Sequence, residues 1–313
     1  MIAEREVEKG SEHSLRRIVA AHREWLSHPH GGGRANLDRL TFNDASMPKV
    51  NLHCGILRNS TFWDANLSGA DLTESDLENS DFRRATLSGA DLTKADISGA
   101  RFEESSMVGA NLSEARLFET QFGRANLRQA RLLDAKIDKC SFANADAAGA
   151  AFHQSRISET DWREAILERA VFFHARIQLS RFNAVSADGV NFESARIENC
   201  QFPLAQLRGA KFLHADLRGS AFYRVNLADA DFRQAKLNYV EFARADLSNA
   251  RFGDASLLAT DFRGATLLGA RELTPNQLAQ AFTDAQTILP SGRRGPYVRS
   301  SGDEKPLSRQ VKI

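Results

Sequence analysis

The sequence predicts an all-β solenoid: a quadrilateral β-helix of about 12 coils with short α-helical caps at both ends. Three observations carry this reading. From Leu37 to Leu267 a Leu, Phe, Ile, Met or Trp recurs every five residues through 47 units without insertion or deletion, with Ala147 and Ala187 as the exceptions. Two residues before these centres stands a small residue, as at Ala65, Ala70, Ser75, Ser80 and Ala85, with only Leu40 larger than valine, so each unit offers two inward side chains. A second period of twenty residues lies over the first. One column reads Phe42, Phe62, Phe82, Phe102, Phe122, Phe142, Trp162, Phe182, Phe202, Phe222, Phe242 and Phe262, and the column fifteen residues away is all Leu and Ile. Twenty residues thus return the chain to one face and four units close a coil. Coils stacked about 4.8 Å apart suit a ladder of offset aromatic rings.

Taken in order, residues 1–34 form an N-terminal helical cap. Leu15, Ile18, Val19, His22, Trp25 and Leu26 line one face of a helix over 12–28, and Gly31, Gly32 and Gly33 end it. Residues 35–270 are the β-helix. Ten of its 13 glycines lie two after a centre, and Pro48 and Pro203 lie one after. Those are the two corner positions of a type II turn, and other residue types at the glycine slot suggest a mixture of turns. Residues 271–290 read as a C-terminal capping helix, opened by the capping box Thr274-Pro275-Asn276-Gln277, carrying Leu278, Ala281, Phe282 and Ala285, and stopped by Pro290. Residues 291–313 are polar and rich in Gly, Ser and Arg, and read as a disordered tail.

Composition narrows the function. The 313 residues hold 41 Lys and Arg against 40 Asp and Glu, which excludes a strongly acidic or basic protein though not local patches. No run approaches the roughly 18 apolar residues of a membrane span, and the start MIAEREVEKG has no apolar signal region, so a cytoplasmic protein is expected. Cys54, Cys140 and Cys200 form neither a disulfide framework nor a CxxC metal knuckle.

Units such as Ala65-Asn66-Leu67-Ser68-Gly69 and Ala70-Asp71-Leu72-Thr73-Glu74 resemble the A(D/N)LXX motif of the pentapeptide repeat proteins. The resemblance covers residues 35–270 and implies a right-handed quadrilateral β-helix. It also implies that the C-terminal segment can mediate a homodimer. Some members mimic DNA and inhibit or protect type II topoisomerases such as DNA gyrase, which gives an alternative function. DNA mimicry needs a strongly negative surface, whereas the net charge here is +1 and the acidic excess is confined to residues 71–104.

No catalytic constellation emerges, and no cofactor or metal site is expected. His28-Pro29-His30 lacks a third ligand at recognisable spacing, and Gly31-Gly32-Gly33 follows a helix where a phosphate loop precedes one. Asp71, Asp76, Asp81, Asp91 and Asp96 occupy the outward slot before the centre and read as a solvated face. Two surface features stand out. The outward column at Arg116, Lys136, Arg156, Arg176 and Arg196 is cationic; Glu114 and Asp134 are placed to pair with its first two members, which leaves Arg156, Arg176 and Arg196 as a candidate strip for an anionic partner. Leu133, Val171, Phe173 and Leu213 form a candidate apolar contact patch. The expected function is a non-catalytic interaction scaffold with a protein partner, with nucleic-acid binding a weaker reading.

Overall fold

The computed structural model describes residues 8–9, 12–28 and 31–306. The chain divides into two compact units, Met1–Arg156 and Ile157–Ile313. Each is a parallel β-helix, because each outward residue pairs with the residue twenty positions on, as in Asn51 with Asp71 and Asp71 with Asp91 in the first unit, and Lys211 with Asp231 and Asp231 with Arg251 in the second.

The first unit opens with β1 (Glu8–Lys9), which lies parallel to β2 (Leu40–Thr41). Helix α1 (Glu12–Ser27) follows β1 and buries Leu15 and His22. His22 Nδ1 accepts the Ala35 N–H at 3.0 Å, and the imidazole stacks on Trp25 with centroids 5.5 Å apart. Gly32 turns the chain off the helix at φ +68°, where an added Cβ would lie 2.3 Å from the Ala21 carbonyl oxygen, so only glycine fits.

Most corners repeat one geometry. The N–H three residues after a centre returns to that centre's carbonyl, as from Leu40 to Leu37, and the second corner residue is left-handed, including Arg39 at φ 60° and Glu74 at φ 55°. This matches the positive φ of a type II turn without requiring glycine. A non-glycine residue there costs about 1–2 kcal/mol, and it is held because its own N–H joins the next coil, as from Asn59 to the Glu78 carbonyl at 2.9 Å.

Inside the first unit, Phe42, Phe62, Phe82, Phe102, Phe122 and Phe142 stack with centroids 4.7 to 5.8 Å apart. In the second, Trp162, Phe182, Phe202, Phe222, Phe242 and Phe262 form one stack and Phe172, Phe192, Phe212, Phe232 and Phe252 another. Every ring from Phe62 onward in these columns is buried, each stabilising the fold by about 1.5–3 kcal/mol. Inward hydroxyls are satisfied locally: Ser75 donates to the Leu72 carbonyl and Ser155 to that of Phe152.

The C-terminal segment departs from expectation. Helix α2 spans Pro275–Ala279 with the capping box of Thr274 and Gln277 in place, but it stops there. Beyond it Phe282 pairs with Asp261 and Ile288 with Thr266, both parallel, so the chain re-enters the ladder where a longer capping helix was expected. The physical reason is the open coil below: the Phe282 N–H donates to the Thr260 carbonyl at 2.8 Å and the Ile288 N–H to that of Ala265 at 2.9 Å, satisfying ladder acceptors that a longer helix would leave bare, while Gln277 Nε2 and Thr287 Oγ1 add bonds to the Ala255 and Phe262 carbonyls. Residues 291–306 of the expected disordered tail are folded. Asp303 accepts from Ser291 and pairs with Arg293 at 2.6 Å, and Tyr297 bonds to the buried Glu304. Residues 307–313 lie outside the described residues.

Candidate functional site

The cationic column sits on the longest extended segments of the coils. Arg116–Phe118 is β3, Lys136–Asp138 β4, Arg156–Ser158 β5, Arg176–Gln178 β6 and Arg196–Glu198 β7. Ile137, Ile157, Ile177 and Ile197 supply β-branched centres here, which favour extended backbone. The corners that follow are looser. Thr120 Oγ1 donates to the Ile97 carbonyl, and the Thr160 and Cys200 N–H groups donate to Ser180 and Ser220 Oγ at 3.2 and 3.1 Å.

In the first unit Arg116 lies in register with Lys136, and the Arg156 N–H donates to the Ala135 carbonyl at 2.9 Å. In the second unit Arg176 lies in register with Arg196. All five side chains are exposed. Their partners differ from those the sequence suggested. Arg116 faces Asp96 at 3.9 Å, one coil away in its own column, rather than Glu114, and Arg196 meets Glu198 at 3.7 Å two residues along its strand. Among the described residues no carboxylate lies within ion-pair distance of Lys136, Arg156 or Arg176.

Leu133 in the first unit, and Val171, Phe173 and Leu213 in the second, are half-buried, and the Phe173 ring lies 4.1 Å from that of His174. More exposed apolar side chains are Leu179 and Leu204 at 55% and Tyr239 at 64%. Each occupies a left-handed corner, where the side chain projects outward, and its position two after a centre was the sequence signal for that exposure.

The carboxylates of residues 71–96 are corner caps rather than a solvated face. Asp71, Asp91 and Asp96 are half-buried and accept the N–H two residues on at 3.1, 2.9 and 3.1 Å, while Asp81 holds Arg83. Burial pushes the Cys140 and Cys200 thiols up to about 11 and about 12, which keeps them unreactive. Of His28-Pro29-His30, Pro29 and His30 lie outside the described residues. No described helix is long and apolar enough to cross a membrane.

Family models for pentapeptide repeats match residues 64–99 and 95–133, and the model of a pentapeptide repeat region matches residues 195–279. No curated protein matches the chain. Among solved structures, HetL, a pentapeptide repeat protein involved in heterocyst differentiation regulation from the cyanobacterium Nostoc sp. strain PCC 7120, is 24% identical, with 87% of this chain and 98% of that one covered and a TM-score of 0.23. QnrB1, a plasmid-mediated fluoroquinolone resistance protein, is 16% identical over 80% of this chain and 92% of its own, with a TM-score of 0.28. Rfr23 from the cyanobacterium Cyanothece 51142 is 20% identical over 36% and 89%, with a TM-score of 0.33. At these scores the fold rests on the chain's own geometry. Two matched stretches fall in the first compact unit and one in the second, all follow the five-residue register that runs through residues 35–270, and the chain is a pentapeptide repeat protein.

Proposed function

We propose that this protein is a non-catalytic cytoplasmic scaffold that binds an acidic surface of a protein partner through its exposed arginines. Arg176 in register with Arg196, with no carboxylate for Arg176 among the described residues, carries the reading. Like charges on adjacent strands repel by about 1 kcal/mol even in water, and an anionic partner relieves that repulsion. Arg156 presents the same exposed side chain in the first unit. Val171, Phe173 and Leu213 add half-buried apolar surface in the second unit, as Leu133 does in the first. The absence of catalysis is supported by the inward hydroxyls bonded to backbone and by the outward aspartates engaged in corners.

A homodimer forms, in this reading, through the C-terminal cap, where Phe282 and Val298 are each 56% exposed. The DNA-mimicking alternative finds less support, since the aspartates it would use are tied to the backbone and to Arg83. The test is affinity capture from the source lysate with wild type and an Arg176→Glu/Arg196→Glu variant. A partner held by the first and lost by the second is expected; a partner held equally by both overturns the reading. Inhibition or protection of gyrase in a supercoiling assay would instead favour the alternative.

A further inference from the structure

A corner of the first unit carries a second chemistry, independent of the arginine strip. His53 and Cys54 are the two corner residues after Leu52, Cys54 at φ 59°, and Glu74 fills the same left-handed corner one coil on. Backbone pairing fixes the stack, with the Cys54 N–H on the Thr73 carbonyl and the Glu74 N–H on that of Thr93, both at 2.8 Å. Cys54 Sγ consequently lies 3.3 Å from His53 Nε2 and 3.9 Å from Glu74 Oε2, and all three donor atoms fall within 4.8 Å of one another. Bonds of about 2.0–2.3 Å to a tetrahedral zinc ion place its ligands about 3.3–3.8 Å apart, so the Cys54–His53 spacing is already met and the Cys54–Glu74 spacing lies just outside it.

The hydrogen bonds behind His53 prepare it as a ligand. Thr73 Oγ1 donates its one proton to Asp71 Oδ1 at 2.6 Å, so the 2.6 Å contact between Thr73 Oγ1 and His53 Nδ1 requires Nδ1 to carry the proton. The neutral ring then has its lone pair on Nε2, the atom facing Cys54. A carboxylate or hydroxyl behind a histidine ligand is the usual means of fixing its tautomer and orientation. Asn51 Oδ1 accepts the His53 N–H at 3.0 Å, and Arg34 donates to the Cys54 carbonyl oxygen, so the backbone of both ligands is held.

We infer that His53, Cys54 and Glu74 bind a zinc-class divalent cation at this corner, with a fourth position open to water or an external donor. A thiolate and a carboxylate neutralise the ion's two charges, and the S, N, O set favours zinc or cobalt over magnesium or calcium. On binding, the Cys54 S–H bond breaks, a metal–sulfur bond forms and the proton passes to buffer. His53 and Cys54 are half-buried and Glu74 exposed, so solvent reaches the site.

The probe is Co²⁺ titrated into the full chain, followed by Zn²⁺ in competition with a chelator. One equivalent of cobalt should give a thiolate-to-cobalt charge-transfer band, with about one proton released per ion. Cys140 and Cys200 are buried, so the band reports on Cys54. Cys54→Ser should abolish it. His53→Ala and Glu74→Gln should weaken zinc at least about tenfold, and Thr73→Val by about tenfold with the band retained, as for outer partners of ligands. The changes lie on surface corners, and unchanged thermal melts of the metal-free variants confirm that each is folded. No band at one equivalent, a band persisting in Cys54→Ser, or zinc affinity unchanged in both His53→Ala and Glu74→Gln would overturn the site.

Discussion

The first unit packs one aromatic column against leucine, whereas the second packs two aromatic columns against each other. Opposite Phe62, Phe82, Phe102 and Phe122 stand Leu72, Leu92, Leu112 and Leu132; opposite Phe182, Phe202, Phe222 and Phe242 stand Phe192, Phe212, Phe232 and Phe252. The second arrangement adds edge-to-face contacts, such as Phe212 on Phe222 at 6.2 Å and 87° and Phe252 on Phe262 at 6.0 Å and 83°. Corner geometry is the same in both, with second corner residues near φ +60° throughout. The backbone frame is therefore set by the pairing of residues twenty apart, and the choice between leucine and phenylalanine tunes how firmly the interior is locked. Edge-to-face pairs contribute about 0.5–1.5 kcal/mol beyond burial, a contribution that the leucines opposite Phe62, Phe82, Phe102 and Phe122 do not make.

Deleting a ring from each unit tests that difference most directly. Phe222→Ala and Phe102→Ala should each cost about 3–5 kcal/mol in urea melts, with Phe222 the dearer by about 1 kcal/mol because it also loses its edge contact. Equal costs would show that the second stack adds nothing. Filling the two alanine centres is a milder probe. Ala187, at 1% exposure, has Val185, Val190 and Phe192 around it, while Ala147, at 0%, has Ala145, Ala150 and Phe152. Ala187→Leu should overpack and lose about 1–3 kcal/mol, whereas Ala147→Leu should be tolerated or stabilising. The reverse order of melting temperatures would refute the compensation by valine.

Acid should separate the units by a smaller margin. Burial pushes the His22 imidazole below its ordinary value; the His53 carbonyl opposes this, the His53 ring and Arg34 reinforce it, and Asp71 opposes it. A lowered folded value means that the stability is present above about pH 6.5 and falls as pH drops toward the folded value, since protonation also breaks the bond from the Ala35 N–H. A first loss in the N-terminal cap at mildly acid pH, absent in His22→Gln, is the expected result of amide-exchange measurements. The smallest effect belongs to the second unit. Burial raises the Asp231 carboxyl, but the Arg233 side chain and N–H outweigh it and hold the value low. That support is present above about pH 4 and lost below, so Arg233→Gln should lower stability slightly at neutral pH and converge with the wild type in acid, which flattens the acid end of the stability curve.

The frame was legible because inward positions admit few residue types: Leu67, Leu72 and Phe82 announce their burial by recurrence alone. Where the chain leaves the repeat, that signal vanishes. Phe282 and Ile288 continue the ladder, yet the sequence around them reads as a helix, since the Thr274–Gln277 box starts one and nothing local says that the Thr260 and Ala265 carbonyls will call the chain back. The cationic column was readable as a column, but its partners were not. Arg116 meets Asp96, its bridged neighbour twenty residues back, because the coil period brings the two together, whereas the pairing with Glu114 was sought two residues away along the chain. His53, Cys54 and Glu74 escaped notice because their spacings of one and twenty match no metal motif until the coil period is applied to corner residues as well as to the core.

Within each unit, pairing of outward residues with the one twenty positions on, as far as Arg251 with Arg271, makes the repeat a ruler with a single graduation. Removal of residues 72–91 would set Asp71 against the position Asn111 now holds, and every column above the cut would meet its own kind again. Removal of only residues 72–76 would turn everything above it by one face, placing phenylalanine over leucine columns and the outward residues of one side over those of another. Such a protein grows and shrinks by whole coils, so duplication of one coil is a neutral step in length while every smaller step is a rearrangement of the interior.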